Sequence, residues 1–290
     1  MISQVARQGK AWYNAGKGVE HNVGEDFDDT TPVERHLTAR RDGRSAKLTP
    51  EEIDREMEAY PRSRTVMELR RVTQEGLEHF VSKYGSTYRS IHLSWEGGVK
   101  DLTPLGDLPE LEHVTLSSQR CERLWDMSGN RKLRVLIIDS CKKLTARPTM
   151  LETAPSLEIV WDLGGAESIH PMESLDGFAD MPAIREIRLQ DIRLMDTHLD
   201  FLATVPTLEV FDFEANMFST EEIAWMAAKY PHIGGMFLRA YGPAFYGATS
   251  WVRVSGKRKP ELHLPEDQQK LDRYIADFNA LVDKYRRENG

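Results

Sequence analysis

The chain has 290 residues, of which 40% are hydrophobic and 29% charged, and its formal net charge at pH 7 is −8. This composition excludes a wholly disordered, collagen-like or membrane-embedded protein, because hydrophobic residues are plentiful and no run approaches the ~18 apolar residues of a membrane span. The acidic balance disfavours nonspecific nucleic-acid binding, which requires basic patches, and it suits a basic protein partner. The N-terminal residues MISQVARQGKAWYNAGKG lack the apolar core of a secretion signal, so we expect a cytoplasmic protein.

The N-terminal region carries a helix start but little periodicity. Residues 14–48 are rich in Gly, Asp, Arg and Thr without a hydrophobic period, and we expect residues 1–48 to be mobile. Thr49, Pro50 and Glu52 then fit the N-cap, first and third positions of a helix that should end near Tyr60. We interpret residues 49–87 as a helical cap followed by an imperfect first repeat.

From residue 88 onward the pattern LxxLxL recurs at steps of 22 to 27 residues. The first apolar residues of the successive copies are Tyr88, Leu111, Leu133, Leu157, Ile184, Leu208 and Ile233. The copy at Leu157 is weaker, because Asp162 stands where the third apolar residue is expected. In five copies a proline stands two residues before the first apolar residue, where it ends the preceding segment: Pro109, Pro155, Pro182, Pro206 and Pro231.

This pattern resembles that of the leucine-rich-repeat superfamily, and most closely the internalin-like repeats of bacterial proteins, over about residues 64–242. The expected fold class is α/β: a curved right-handed solenoid with a parallel sheet on its concave side, a helical or irregular convex side and helical caps at both ends. We assign the regular repeats to residues 88–242. The repeat's characteristic asparagine or cysteine is kept at Cys141 and Asn216. The superfamily shares a scaffold rather than a site, so no functional residue is implied.

Residues 243–290 follow the last copy and predict a strand at 250–255 and an amphipathic helix that starts at Pro265. The apolar stripe of this helix is Leu271, Tyr274, Ile275, Phe278, Leu281, Val282 and Tyr285. We interpret the segment as a C-terminal cap docked on the last copy. The alternative is a helix that binds a partner or a second chain.

The sequence contains no hydrolase, zinc-protease, phosphate-loop or dinucleotide-binding motif. The two cysteines, Cys121 and Cys141, are too few for a disulfide framework, and Cys141 fits the repeat's position for a buried packing thiol. His92 and His113 fall on neighbouring predicted strands, but no nucleophile or carboxylate cluster accompanies them. We therefore expect no enzymatic activity, no cofactor and no metal.

The binding surface is predicted from the strand alternation. The apolar residues of LxxLxL face the core, and the residues between them point out of the concave sheet. In the middle copies these outward residues include Val135, Ile137, Ile159 and Trp161, which would form an exposed apolar patch of the kind that marks an interaction surface. The predicted partner-binding residues are Ile137, Asp139, Ile159, Trp161, Glu186, Arg188, Asp212, Glu214, Phe237 and Arg239. The alternative is a shifted register at Leu157 that buries Trp161 in the core.

These features predict a monomeric, non-enzymatic module that binds a protein on its concave face, without nucleic-acid or membrane partners. A bacterial cytosolic antitoxin or immunity protein is one form of this function. The alternative is a substrate-recognition or docking module of an enzyme or effector system. Against that alternative, residues 1–63 and 243–290 are each short for an independent catalytic domain.

Overall fold

The structure is a computed structural model that describes residues 46–58, 65–94, 98–144, 153–164, 171–179, 181–244 and 250–288. It describes the backbone alone at residues 36–37, 40–41, 44–45, 170 and 289. The predicted mobility of residues 1–48 falls largely outside these ranges, as does the predicted end of the first helix near Tyr60.

Two helices and one strand of the sheet form the N-terminal part of the described chain. Helix α1 (Pro50–Glu58) begins at the predicted proline, and helix α2 (Gln74–Tyr84) is capped by the Thr73 hydroxyl, which accepts a bond from the Gly76 amide. Strand β4 (Val66–Arg70) lies between the two helices in sequence and occupies the position of the imperfect first repeat. The two helices pack together through Asp54, whose carboxylate accepts a bond from the Tyr84 hydroxyl at 2.6 Å.

The repeats form an eight-stranded sheet in which every pairing is parallel and the strands follow one another in chain order. From the first edge, its strands are β1 (His36–Leu37), β4, β5 (Ser90–Ser94), β6 (His113–Ser117), β7 (Val135–Asp139), β8 (Ile159–Leu163), β10 (Glu186–Gln190) and β12 (Val210–Asp212). Successive copies pair without slippage, so that Val114, Leu136 and Val160 are direct neighbours. This is the α/β arrangement of a leucine-rich-repeat fold, and the predicted parallel sheet is confirmed.

Short strands and turns connect these repeats. Strands β2 (Arg40–Arg41) and β3 (Arg44–Ser45) pair antiparallel, and β9 (His170–Met172) pairs parallel with β11 (Ile192–Leu194). After four of the long strands the next residue is left-handed, with φ between 53° and 55°: Arg71, Ser118, Ser140 and Asp191. The amide of Ser118 then donates to the last carbonyl of the next strand, that of Asp139, at 2.9 Å.

The last predicted copy departs from the pattern. At Ile233 the chain makes only an isolated bridge between Gly234 and Val210, and then turns instead of continuing as a strand. A side chain at Gly235 would meet the Phe211 carbonyl oxygen at 2.3 Å, so only glycine allows the chain to pass so close to the preceding strand. The prediction of a regular strand at this copy is wrong.

The main core lies on one face of the sheet and continues along the described chain from Leu48 to Val282. It contains Cys141, whose thiol lies 3.6 Å from the Leu116 carbonyl of the preceding repeat, as expected for a packing thiol. Asn216, predicted to hold the corresponding position in a later copy, is exposed instead. The core includes one face of helix α3 (Thr220–Lys229), which begins with a capping box formed by Ser219 and Glu222.

The C-terminal residues form an antiparallel sheet and a long helix. Strands β13 (Tyr241–Pro243), β14 (Trp251–Val254) and β15 (Glu261–His263) pair in order, and helix α4 (Gln268–Asn289) follows. Helix α4 packs against α3, where Phe278 and Val282 join the main core. A second small core forms around Val252, Val254, Leu262 and Leu271.

Candidate functional site

The candidate site lies on the face of the parallel sheet that points away from the main core, which we call the non-core face. Because side chains alternate along a strand, residues two apart share this face. One column of neighbouring residues is Ser90, His113, Val135, Ile159, Glu186 and Val210. The second is His92, Thr115, Ile137, Trp161, Arg188 and Asp212.

An apolar cluster separate from the main core occupies the middle of this face. It consists of Val135, Ile137 and Trp161, with Ile159 and Leu163 packed at its edge. The register at Leu157 is therefore the predicted one, and the alternative that places Trp161 in the main core is wrong.

The expectation that this apolar patch is exposed is also wrong. Ile137 and Trp161 are only 2% and 6% exposed, and Ile159 and Leu163 are partly buried. Polar neighbours on the same face are buried as well, since His113 and Glu186 are each 1% exposed. The middle of the non-core face is thus buried, in contrast to the solvent-exposed concave sheet that the repeat pattern predicts.

A network of charged side chains joins the apolar cluster to the last strands of the sheet. The Trp161 Nε1 group donates to Glu186 Oε1 at 2.7 Å, and the Arg188 guanidinium donates to the same oxygen. Arg188 also stacks over the Trp161 ring at 4.9 Å and pairs with Asp212 at 3.1 Å. Asp212 in turn accepts a bond from the Met236 amide. Three neighbouring strands therefore contribute to one continuous network: Trp161 comes from β8, Glu186 and Arg188 come from β10, and Asp212 comes from β12.

Burial raises the pKa of the Glu186 carboxyl, although Arg188 opposes the shift. Its second oxygen, Oε2, is buried and has no hydrogen-bond partner among the described residues. A buried acceptor without a donor is costly, and it normally signals a donor that has not been identified. The Glu214 carboxyl, beyond the end of β12, also has a raised pKa because of burial and the nearby charge of Asp191.

The structure brings together most of the predicted partner-binding residues but separates two of them. The residues that share the non-core face or its rim are Ile137, Asp139, Ile159, Trp161, Glu186, Arg188, Asp212 and Glu214. Phe237, predicted to be an exposed anchor, is 7% exposed and belongs to the main core, because the chain turns after Gly235. Arg239 is exposed, but it lines a cleft against α4 with Ile275 and Phe278.

Sequence reasoning did not include the first strands of the face among the site residues. His92 and His113 stand with their ring centroids 5.0 Å apart, and burial, followed by the nearby His92, holds the pKa of His113 well below its usual value. The His113 Nε2 atom lies 3.0 Å from the Thr115 hydroxyl. The repeat pattern placed the two histidines on neighbouring strands, but it gave no signal that they would be buried.

We also searched the described residues for a metal site, a membrane-spanning helix and an accessible thiol. Within the described ranges, no group of three or more His, Cys, Asp or Glu side chains is placed to hold a metal ion. Among the described helices, none has the length and apolar character needed to cross a membrane. Cys121 and Cys141 are both fully buried.

Comparison with known proteins gives two similar solved structures. No protein-family model matches the chain, and neither does any curated protein. The structure of internalin C2 from Listeria monocytogenes is similar over 68% of this chain and 76% of its own, with 14% identity and a TM-score of 0.46. The internalin inlF of the same species is similar over 58% of this chain and 46% of its own, with 14% identity and a TM-score of 0.40. Both are internalins, the group that the repeat pattern resembles.

Proposed function

We propose that this protein is a non-enzymatic protein-binding module and that the non-core face of its parallel sheet is the binding surface. One observation carries the proposal: an apolar cluster lies on the sheet face opposite the core, directly beside the Trp161–Glu186–Arg188–Asp212 network. A solitary globular domain gains nothing from a second apolar cluster on a face that water would otherwise wet. Tryptophan and arginine beside it are the residue types that most often anchor protein interfaces.

The charges of this surface favour a basic partner. Asp139, Glu186, Asp212 and Glu214 surround the cluster, and Arg188 is the one guanidinium among the predicted site residues there. The unpartnered oxygen of Glu186 additionally calls for a hydrogen-bond donor. A lysine- or arginine-bearing segment with apolar side chains would meet both requirements.

The proposal also covers the division of the chain into domains, the oligomeric state and the cellular compartment. We assign residues 88–242 to a curved right-handed solenoid, with 49–87 and 243–290 as its capping ends and 1–48 as a separate segment. The protein acts as a monomer in the bacterial cytoplasm, and antagonism of a toxin is one form that binding of a basic partner would take there. An interacting protein that is encoded beside this one and is toxic without it would support that form.

Site-specific photo-crosslinking tests the surface itself. A photoreactive residue is placed at Ser117 or Gln190, which lie partly exposed on the non-core face, and at the exposed Ala203 on the return segment as a control. We expect the same native partner to be crosslinked from both face positions and not from Ala203. Crosslinks obtained only from Ala203, or from the two ends of the chain, would overturn the proposal.

The identified partner then allows the anchor to be measured. Arg188→Ala should weaken binding by about thirtyfold or more, the loss typical of an interface hot spot. Arg193→Ala is the matched control, because Arg193 is an exposed arginine on β11 outside the non-core face. Equal affinities of the two variants would contradict the assignment of Arg188 as an anchor.

A further inference from the structure

A cleft of about 550 Å³, which we call the loop cleft, lies among the loops that follow strands β5, β6 and β7. Its lining includes the side chain of Trp125, which is buried. Three successive repeats contribute the basic side chains of the lining, which are Lys100, Arg120, Arg123 and Lys143. All four are exposed. The repeats thus gather four positive charges around one concavity, in a chain whose net charge is −8.

These four cations lack the counter-ions that other cations of the repeats have. Before strand β5, Arg89 pairs with Glu112 of the next repeat at 2.6 Å, and an equivalent pair joins β7 to β8. Among the described residues, by contrast, no carboxylate forms an ion pair with any of the four basic side chains of the loop cleft. Like charges that converge without counter-ions repel one another, and an anion in the cleft would relieve this repulsion.

The loop cleft also has three carboxylates, but two of them are directed to their own turns. They are Asp101, Glu122 and Asp126. Asp101 Oδ1 accepts a bond from the Thr103 amide at 2.9 Å, and Asp126 Oδ1 accepts one from the Ser128 amide at 2.9 Å. The bonds from Ser128 hold the pKa of the Asp126 carboxyl below its usual value. These two acidic groups therefore close turns instead of pairing with the neighbouring cations.

The mixed charges of the lining indicate which class of anion fits. A phosphate chain or a nucleic acid carries closely spaced negative charges, and some of these would lie beside Glu122 and the two aspartates. In an extended peptide, side chains on the same side are about 7 Å apart, so single carboxylates can meet separate cations. The planar guanidinium of arginine can also donate two parallel bonds to one carboxylate. The lining therefore suits an acidic peptide better than a dense polyanion.

We propose that the loop cleft binds an acidic segment of a protein partner, with Arg120 and Arg123 as the main contacts and Lys100 and Lys143 beside them. This inference goes beyond the proposed function, because it adds a second surface whose charge is opposite to that of the carboxylate-lined non-core face. The two surfaces are separate, since the cleft is built from loops beyond the ends of the strands. Complementary charge at the loop cleft also accelerates the encounter with an acidic segment.

The test uses the full chain and a dye-labelled peptide of ten glutamates, followed by fluorescence anisotropy. The protein as a whole is negatively charged and repels this peptide, so only a local basic site can bind it. We expect a Kd of about 100 µM or tighter at low salt and weaker binding as the salt concentration increases, because salt screens exposed charges. No binding to the unaltered chain, or binding that does not respond to salt, would overturn the proposal.

Two double variants then locate the site. Arg120→Gln combined with Arg123→Gln should weaken binding by about tenfold or more, and both residues are exposed, so the fold should persist. Arg193→Gln combined with Arg273→Gln is the matched control, because it removes the same charge from exposed arginines outside the cleft. The control should keep the affinity within about twofold. An equal loss in the two double variants would contradict a site at the loop cleft.

Two further measurements define the contacts and the ligand class. Zero-length carbodiimide crosslinking should join the peptide to Lys100 or Lys143, and links confined to other lysines would place the peptide elsewhere. Inorganic tripolyphosphate and a thymidine oligonucleotide are tested as competitors, and tighter binding of either would overturn the assignment to an acidic peptide. None of these measurements uses the native partner. Their failure would therefore leave the non-core face to be judged by its own photo-crosslinking.

Discussion

Asn130 shows how a single polar residue joins two repeats. Its Nδ2 group donates to the carbonyl oxygens of Leu105 and Leu108 at 2.8 Å, and its Oδ1 accepts from Trp125 Nε1 at 2.7 Å. Asn130 and Trp125 are both 1% exposed, so all three bonds are shielded from water. Nothing in the apolar repeat pattern marks this asparagine, because its partners are backbone carbonyls from the preceding repeat.

Replacing this amide should therefore be costly. Asn130→Ala leaves the Trp125 indole N–H buried without this acceptor and removes one of the two hydrogen bonds that each of the Leu105 and Leu108 carbonyls accepts. We predict a loss of about 3 kcal/mol in the free energy of unfolding. Urea denaturation of the variant measures the loss. Ser128→Ala is the control, because Ser128 is exposed two residues away and should change stability little. Similar stabilities for the two variants would show that Asn130 does not join the repeats.

The left-handed residue that follows four of the long strands gives a prediction of the opposite sign. Ser118 has φ 54°, a conformation that is strained for residues other than glycine, asparagine and aspartate. Ser118→Gly should relieve this strain and, after the entropic cost of glycine, raise the free energy of unfolding by about 0.5–1 kcal/mol. Ser118→Val should lower it. Chemical denaturation checks both variants, and a destabilising glycine would refute the argument.

At the scale of elements, the residue before each strand of the eight-stranded sheet from β5 to β12 alternates between arginine and glutamate. Arg89 pairs with Glu112 at 2.6 Å, and equivalent pairs join β7 to β8 and β10 to β12. In the second of these pairs, the Arg134 guanidinium meets the Glu158 carboxylate through two bonds of 2.6 and 2.7 Å. A shift by one repeat would place like charges together, so the alternation favours the observed pairing of neighbours.

A double-mutant cycle measures the contribution of one pair. Arg134→Glu should destabilise the protein, and Arg134→Glu combined with Glu158→Arg should recover most of the loss. We expect a coupling energy of about 0.5–1 kcal/mol, since both side chains are partly exposed and water weakens their attraction. The more exposed pair of Lys132 and Glu110 should couple less. Additive effects at Arg134 and Glu158 would exclude a role in register.

The repeat period predicted the strands well, because each copy must bury the same apolar positions. The two wrong predictions, a strand at the last copy and an exposed apolar patch, concern features that the repeat period does not encode. Gly235 marks a close approach to β12 that ends the last copy as a strand, although its apolar spacing matches the others. Trp161 was placed on the correct face, but the period carries no signal for its burial. The site residues on β7, β8, β10 and β12 were predictable, and their burial was not.

At the scale of the whole molecule, the buried face makes stability depend on pH. The pKa of His113 is well below its usual 6.5, so the folded state stays neutral while the unfolded chain takes up a proton as the pH falls below 6.5. The free energy of unfolding should therefore decrease as the pH falls from 6.5 toward the folded pKa. Glu186, whose pKa is raised above 4.5, acts in the opposite direction as the folded carboxyl takes up its proton first.

Denaturation at about pH 7.5 and about pH 5.5 tests the histidine effect. We predict that the unaltered protein loses stability at the lower pH and that His113→Gln reduces this loss. His198 is the control, because Asp196 raises its pKa. Its contribution to the free energy of unfolding is therefore present below pH 6.5 and is lost as the pH rises through the folded pKa. His198→Gln should therefore leave the acid-induced loss at least as large. If His113→Gln retains the full loss, another group causes it.

Helix α4 is the proposed cap at the C-terminal end of the repeat array. Phe278 of α4 is 5% exposed and lies in the main core against α3, so removing its ring should leave a cavity at the end of the array. We predict that Phe278→Ala lowers the free energy of unfolding by about 3–4 kcal/mol, measured by urea denaturation. Asp283→Ala, on the exposed side of the same helix, should change it little. A helix that instead holds a second chain would give a different result. Phe278→Ala would then change the mass measured by light scattering while the unfolding of the monomer stayed the same.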